Sequence, residues 1–230
     1  MEIVYEDNHI IVVNKAPGEI VQGDKTGDEP LVEIVRRYIK EKYNKPGNVF
    51  CGVVHRLDRP VGGLVVFAKT SKALARLNEM FRLGQVHKTY RCITRNQPPK
   101  ISDRLVHYIT TVERNNKSYA SSQPKKDAKQ AALSYRLIGK SDRYFLLEVN
   151  LETGRKHQIR VQLAAIGCPI RGDLKYGDKR SNPDGSISLY AHRISFIHPV
   201  SKQLIDLTAS APSADKLWHA FTPVEELQGE

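Results

Sequence analysis

Apolar positions along the chain fall into short runs and alternations, interrupted by a few stretches of helical spacing. Ile3-Val4-Tyr5 and Ile10-Ile11-Val12-Val13 flank the polar turn Glu6-Asp7-Asn8-His9, which predicts two neighbouring strands. Leu31, Ile34, Val35, Tyr38 and Ile39 lie on one face of a helix that ends at Asn44, Pro46 and Gly47. The runs Val49–Val54 and Leu64–Ala68 read as strands, and the segment between them is short and polar. Ser71 is the expected N-cap of a helix carrying Leu74, Leu77 and Phe81, closed by Gly84. Val86–Thr94 alternates like a half-buried strand. The basic stretch 113–130 predicts a mobile loop or an irregular hairpin, either a solvated excursion or a nucleic-acid contact. Leu133–Ile138 and Tyr144–Leu151 read as paired strands, and Ile159, Leu163 and Ile166 mark a short helix closed by Gly167. Ser186–Ile197 and Gln203–Thr208 read as a hairpin, and Leu217, Trp218 and Phe221 as a short C-terminal helix.

Strands joined as neighbours, with helices scattered among them, predict an α+β fold around a mixed, largely antiparallel central β-sheet with flanking helices. No Pro/Gly/Ser-rich linker interrupts the 230 residues, so a single domain over 1–230 is expected. A domain of this size buries roughly 70–75% of its unfolded-chain surface and needs no disulfide or metal staple. Cys51, Cys92 and Cys168 are odd in number and widely spaced, which argues for buried thiols. No segment approaches the roughly 20 apolar residues of a membrane span. The acidic, alternating start lacks the features of a signal peptide, so a cytoplasmic location is expected. The formal charge of +11 points to a polyanionic partner, nucleic acid or an anionic membrane surface.

Two segments carry the candidate chemistry. His55-Arg56-Leu57-Asp58-Arg59-Pro60-Val61-Gly62-Gly63 joins two apolar strands yet concentrates two arginines, a histidine and an aspartate. An aspartate placed there is a nucleophile, a base or half of a structural ion pair. Thr153-Gly154-Arg155-Lys156-His157-Gln158-Ile159-Arg160 places four potentially cationic side chains at a predicted helix start, which reads either as a phosphate site or as a solvated charge run. His55 and His157 have no third ligand at suitable spacing, so no metal is expected.

Together these segments resemble the RluA-type family of RNA pseudouridine synthases. The first resembles that family's H-R-L-D-x-x-[TV]-[ST]-G motif and the second its T-G-R-x-H-Q-[IL]-R motif. Lys88-Thr89-Tyr90-Arg91 resembles K-x-Y. Val13-Asn14-Lys15 and Gly172-Asp173-x-x-Tyr176-Gly177 are similar to further family segments, and all occur in family order from about residue 3 to 208. Two positions depart from the pattern. Gly62 stands where serine or threonine is usual, and Asn14-Lys15-Ala16-Pro17-Gly18 has its proline displaced by one. The pattern starts almost at Met1, so the small RNA-binding domain that precedes the catalytic domain in some relatives is not expected.

The resemblance implies a catalytic cleft across the sheet and a cofactor-free isomerase that flips uridines out of structured rRNA or tRNA. Asp58, Tyr90 and Arg160 are its implied catalytic residues. Asp58 either attacks ribose carbon 1 or removes the proton on carbon 2. Tyr90 stacks on the uracil and assists loss of the carbon 5 proton; Arg160 pairs with Asp58. Arg56 fills the space that the flipped base vacates, and Ile159 presents an apolar wall. RNA contact extends by the same resemblance to His55, Arg59, Arg155, Lys156 and His157. A monomer without an obligate protein partner or a membrane is expected. The competing readings are a non-catalytic RNA-binding protein, such as a chaperone, and a nucleoside glycosidase, which would release free uracil.

Overall fold

A computed structural model describes residues 1–212 and 215–224. In chain order its elements begin with β1 (Glu2–Glu6), β2 (Ile10–Lys15), α1 (Leu31–Lys42), β3 (Gly52–Val53), β4 (Gly62–Ala68) and α2 (Ser71–Arg82). There follow β5 (His87–Thr94), β6 (Ser102–Val112), β7 (Lys117–Ser121), β8 (Lys129–Lys140) and β9 (Phe145–Leu151). The chain continues through α3 (Gln158–Ala165), β10 (Leu189–Ile197), β11 (Leu204–Thr208) and β12 (Thr222–Pro223). It divides into two compact units, Met1–His87 with Ala191–Ser210, and Lys88–Tyr190 with the described part of Ala211–Glu230.

In the first unit β1 pairs antiparallel with β2, β2 with β4, and β10 with β11. All seven residues of β4 are buried, as its unbroken apolar run requires. The core joins Ile10 and Val12 of β2, Leu64 and Val66 of β4, Ala73 and Leu77 of α2, and Ile194 and Phe196 of β10. The β2–β4 register sets Lys15 opposite Gly63. The N-cap of α2 is Thr70, one residue before the expected Ser71. Its backbone is extended and its hydroxyl accepts from the Ala73 amide at 3.1 Å, while Ser71 is already helical. Of the strand expected over Val49–Val54, only Gly52–Val53 pairs with β4, although Val49 and Cys51 are buried.

The second unit is an antiparallel ladder in the order β5-β9-β8-β6-β7, with β12 paired to β8. The basic stretch after Val112 opens as the turn and return strand of a hairpin, and residues 122–128 then connect it to β8. A short 3-10 turn over Glu113–Asn115 and Asn116 in the left-handed region (φ +49) return the chain as β7. α3 adds Val161 to a small core with Ile109, Ala131 and Tyr176. Tyr190 and Trp218 meet edge to face beside Ile93. The expected C-terminal helix is a 3-10 turn, Lys216–His219, capped by Asp215. The arrangement agrees with the α+β expectation. No helix among the described residues is long and apolar enough to cross a membrane. All three cysteines are buried, and burial pushes the Cys51 thiol up to about 12.

Candidate active site

The loop His55–Gly63 is fastened chiefly through its backbone. The Lys15 ammonium, on a residue 1% exposed, donates to the carbonyls of Ala16 (2.9 Å), Glu19 (2.8 Å) and Arg59 (3.2 Å). The Gly18 amide donates to the same Arg59 carbonyl at 2.8 Å. Within the loop the Val61 amide donates to the Asp58 carbonyl at 3.0 Å, closing a tight turn just after the carboxylate. Burial pulls the Lys15 ammonium down to about 8 against the opposing charges of Glu19 and Asp58. At the loop's end Gly63 has φ +109, and any Cβ there would collide with the Ala191 backbone, so glycine is required. At Gly62 a Cβ would lie 3.2 Å from the Lys15 carbonyl and 3.2 Å from Pro17 Cδ. The two departures from the family pattern, Gly62 and the displaced proline, therefore meet in space.

Side chains of this loop face different surroundings. Asp58 is half-buried and Arg56 exposed. Arg59 lies at the surface, bonded to Asp28 (2.5 Å) and to the Thr26 hydroxyl (2.6 Å). His55 stacks on Phe81 at 4.9 Å between ring centroids, and its Nε2 accepts from the Val66 amide at 3.1 Å. That bond requires an unprotonated Nε2 and ties the loop's start to β4.

The run from Thr153 to Arg160 splits in two. Arg155 and Lys156 are exposed, while His157, Gln158, Ile159 and Arg160 are buried. Gln158 braces the turn into α3. Its Oε1 accepts from the Thr153 hydroxyl (2.8 Å) and the Arg155 amide (2.9 Å), and its Nε2 donates to the Ala132 carbonyl (3.0 Å). Arg160 grips the buried Asp173 with two parallel bonds, Nε to Oδ2 at 2.7 Å and Nη2 to Oδ1 at 2.9 Å. Its guanidinium also lies 4.9 Å from the centre of the Tyr176 ring. The Tyr176 hydroxyl accepts from the Ser118 amide at 2.8 Å and shares a hydrogen bond with His157 Nδ1 at 2.7 Å. Burial pushes the Tyr176 phenol up. His157 is held at φ +55, a conformation non-glycine residues seldom adopt.

Tyr90 sits on β5 opposite Val149 of β9 and is 7% exposed. Sequence reasoning gave no role to Lys15, Gln158, Asp173 or Tyr176, although the motifs contain all four. Their signal was residue type, since a lysine, a glutamine and an aspartate inside apolar or turn segments need buried partners.

A family profile described as RNA pseudouridylate synthase matches residues 9–165, more than half of the chain. The chain is 32% identical to "Ribosomal large subunit pseudouridine synthase D" of Zymomonas mobilis, over 92% of this chain and 69% of the relative. It is 29% identical to "tRNA pseudouridine synthase C" of Vibrio parahaemolyticus, over 99% and 97%. It is 30% identical to the protein of that name from Pectobacterium carotovorum, of which it spans 58%. Among solved structures, "Human RNA Pseudouridylate Synthase Domain Containing 4" superposes with a TM-score of 0.77 at 23% identity, over 93% of this chain and 89% of that one, a likeness of fold. With motifs, fold and profile in agreement, the chain belongs to the RluA-type family of RNA pseudouridine synthases.

Proposed function

We propose that the protein converts chosen uridines of structured rRNA or tRNA to pseudouridine, with Asp58 as the catalytic carboxylate. Isomerisation breaks the bond from uracil N1 to ribose carbon 1 and forms one from uracil carbon 5. The carbon 5 proton leaves and N1 gains one. Atoms and electrons balance within the nucleotide, so no cofactor is proposed. The target must leave the base stack at a cost of a few kcal/mol, which RNA contacts offset.

The observation that carries this reading is the placement of Asp58. It is half-buried, on a loop whose backbone a buried lysine clamps beside it. Such fixing suits a carboxylate that attacks ribose carbon 1, or one that removes the carbon 2 proton. Arg160, held by Asp173, is the proposed cationic partner of the catalytic carboxylate. Tyr90 is proposed to stack on the uracil. An ordinary phenol, with a pKa near ~10, is a weak base at neutral pH. Ile159 is the proposed apolar wall.

Exposed Arg56 is proposed to enter the vacated stack, where a guanidinium plane replaces base contacts. Arg59, Arg155 and Lys156 are proposed RNA contacts at the surface. His55 and His157 are proposed to support them through the internal bonds described above. We place the reaction in the cytoplasm, carried out by a monomer without an obligate protein partner.

The test is tritium release from RNA labelled at uridine carbon 5, prepared from cells lacking this gene. Asp58→Asn is expected to lower release by at least about 10³-fold while RNA affinity persists. Substantial residual release would remove Asp58 from the chemistry. Tight binding with no release by the wild type would favour a non-catalytic RNA-binding protein, and free uracil a glycosidase.

A further inference from the structure

Away from the residues assigned above, the second unit carries an open groove of about 430 Å³ between β7, α3 and the turn Leu174–Gly177. Val161 and Tyr176, both buried, and the half-buried Ala120 and Ala164 supply apolar lining. Tyr119 and Leu174 also line it and are 44% and 57% exposed, so apolar surface faces solvent. Two lysines line it as well. The Lys117 ammonium lies 5.7 Å from the centre of the Tyr119 ring and 5.5 Å from that of Tyr176. Lys175 donates to the Asn116 carbonyl at 3.0 Å, bracing the hairpin tip against the groove wall. No lining residue is acidic.

We propose that this groove is a subsite for a single-stranded nucleotide of the RNA, outside the target uridine, with its base against Tyr119 and its phosphates on Lys117 and Lys175. The proposal rests on the RNA-modifying reading above and deepens it. Aromatic surface beside lysine ammonium groups is what unpaired nucleotides require, since every base offers a stacking face and every phosphate a charge. The volume lies within the range of small-ligand pockets, roughly 300–1,000 Å³. An acidic peptide would satisfy the lysines without using the exposed ring. The groove also adjoins the proposed site within this unit, because Tyr176 lines it and contacts the Arg160 guanidinium. A nucleotide seated here would tighten RNA binding without entering the chemistry.

The test compares the wild type with Tyr119→Ala, Tyr119→Phe and the double variant Lys117→Ala/Lys175→Ala. The probes are a short fluorescent oligouridylate and heparin, a polyanion without bases. Tyr119→Ala is expected to weaken oligouridylate binding about fivefold to tenfold and to leave heparin binding unchanged, with Tyr119→Phe close to wild type. The double lysine variant should lower the salt slope of oligouridylate binding by about 0.7 per lost contact. In the tritium-release assay all binding losses should appear in KM, with kcat retained. Folded variants with wild-type affinity and salt slope would overturn the subsite, and tritium release by the wild type would leave the isomerase reading standing. Equal loss of heparin binding in Tyr119→Ala would overturn the nucleotide as occupant. Loss of oligouridylate binding by the variants, with no tritium release from the wild type, would support the groove and sink the isomerase reading.

Discussion

The two cation-rich segments are held in place in opposite ways. In His55–Gly63 the arginine side chains lie at the surface, and the backbone is fixed from below by the Lys15 ammonium and the Gly18 amide. In Thr153–Arg160 the last arginine, Arg160, is itself buried, and a carboxylate of the same unit, Asp173, fixes it. The first arrangement leaves Asp58 half-buried and sets where the loop's backbone stands. The second sets the side chain's own orientation, at the cost of desolvating a charge pair. A group that changes its bonding during a reaction suits the first. A group that must stay charged and still suits the second.

The sharpest break of this contrast is Asp173→Ala, which leaves a buried guanidinium without its bidentate partner. Stability should fall by about 3–5 kcal/mol, read as a lowered midpoint in denaturant. Asp58→Asn should stay within about 1 kcal/mol of wild type in the same experiment. Comparable losses at the two positions would mean that Asp58 is as structural as Asp173.

Lys15→Met comes next. It removes the donor shared by three carbonyls and should cost about 2–3 kcal/mol, with activity falling in step as the loop loosens. The wild type should also gain stability relative to Lys15→Met as pH rises from about 8 to 10.5, because burial makes the folded state release a proton that the unfolded chain still holds. A flat difference across that window would show that Lys15 is not desolvated.

The smallest effect is expected at Gly62→Ser, where the new Cβ presses on Pro17 and the Lys15 carbonyl. Overpacking of this kind costs about 1–2 kcal/mol. Adding Pro17→Ala should recover part of it in a double-mutant cycle, and strict additivity would mean the two positions do not interact.

Much of this was legible in the sequence. The apolar face of α1, the closure of α2 by Gly84 and the hairpin of β10 and β11 follow from local spacing alone. β6 escaped because, of its eleven residues, only Leu105 and Ile109 are buried, too sparse for an alternation to stand out. The cap of α2 moved to Thr70 because two adjacent hydroxyl residues offer the same signal, and only backbone angles separate them. Asp173 was visible as part of a motif, but its bond to Arg160 spans thirteen residues and depends on how α3 packs. The partnership of Gly62 with Pro17 joins two loops distant in sequence, and composition carries no trace of it.

The chain's order of travel bears on its biosynthesis. The N-terminal unit is built from residues up to His87 and again from Ala191 to Ser210. Ile194, Phe196, Ile205 and Ala209 belong to the same core as Ile10, Val12 and Leu64. That core therefore stays incomplete on the ribosome while more than a hundred further residues are made, roughly 5–25 s at typical elongation rates. During this interval the apolar strand β4 has been made but its neighbour β10 has not, so one edge of β4 waits for its pairing partner.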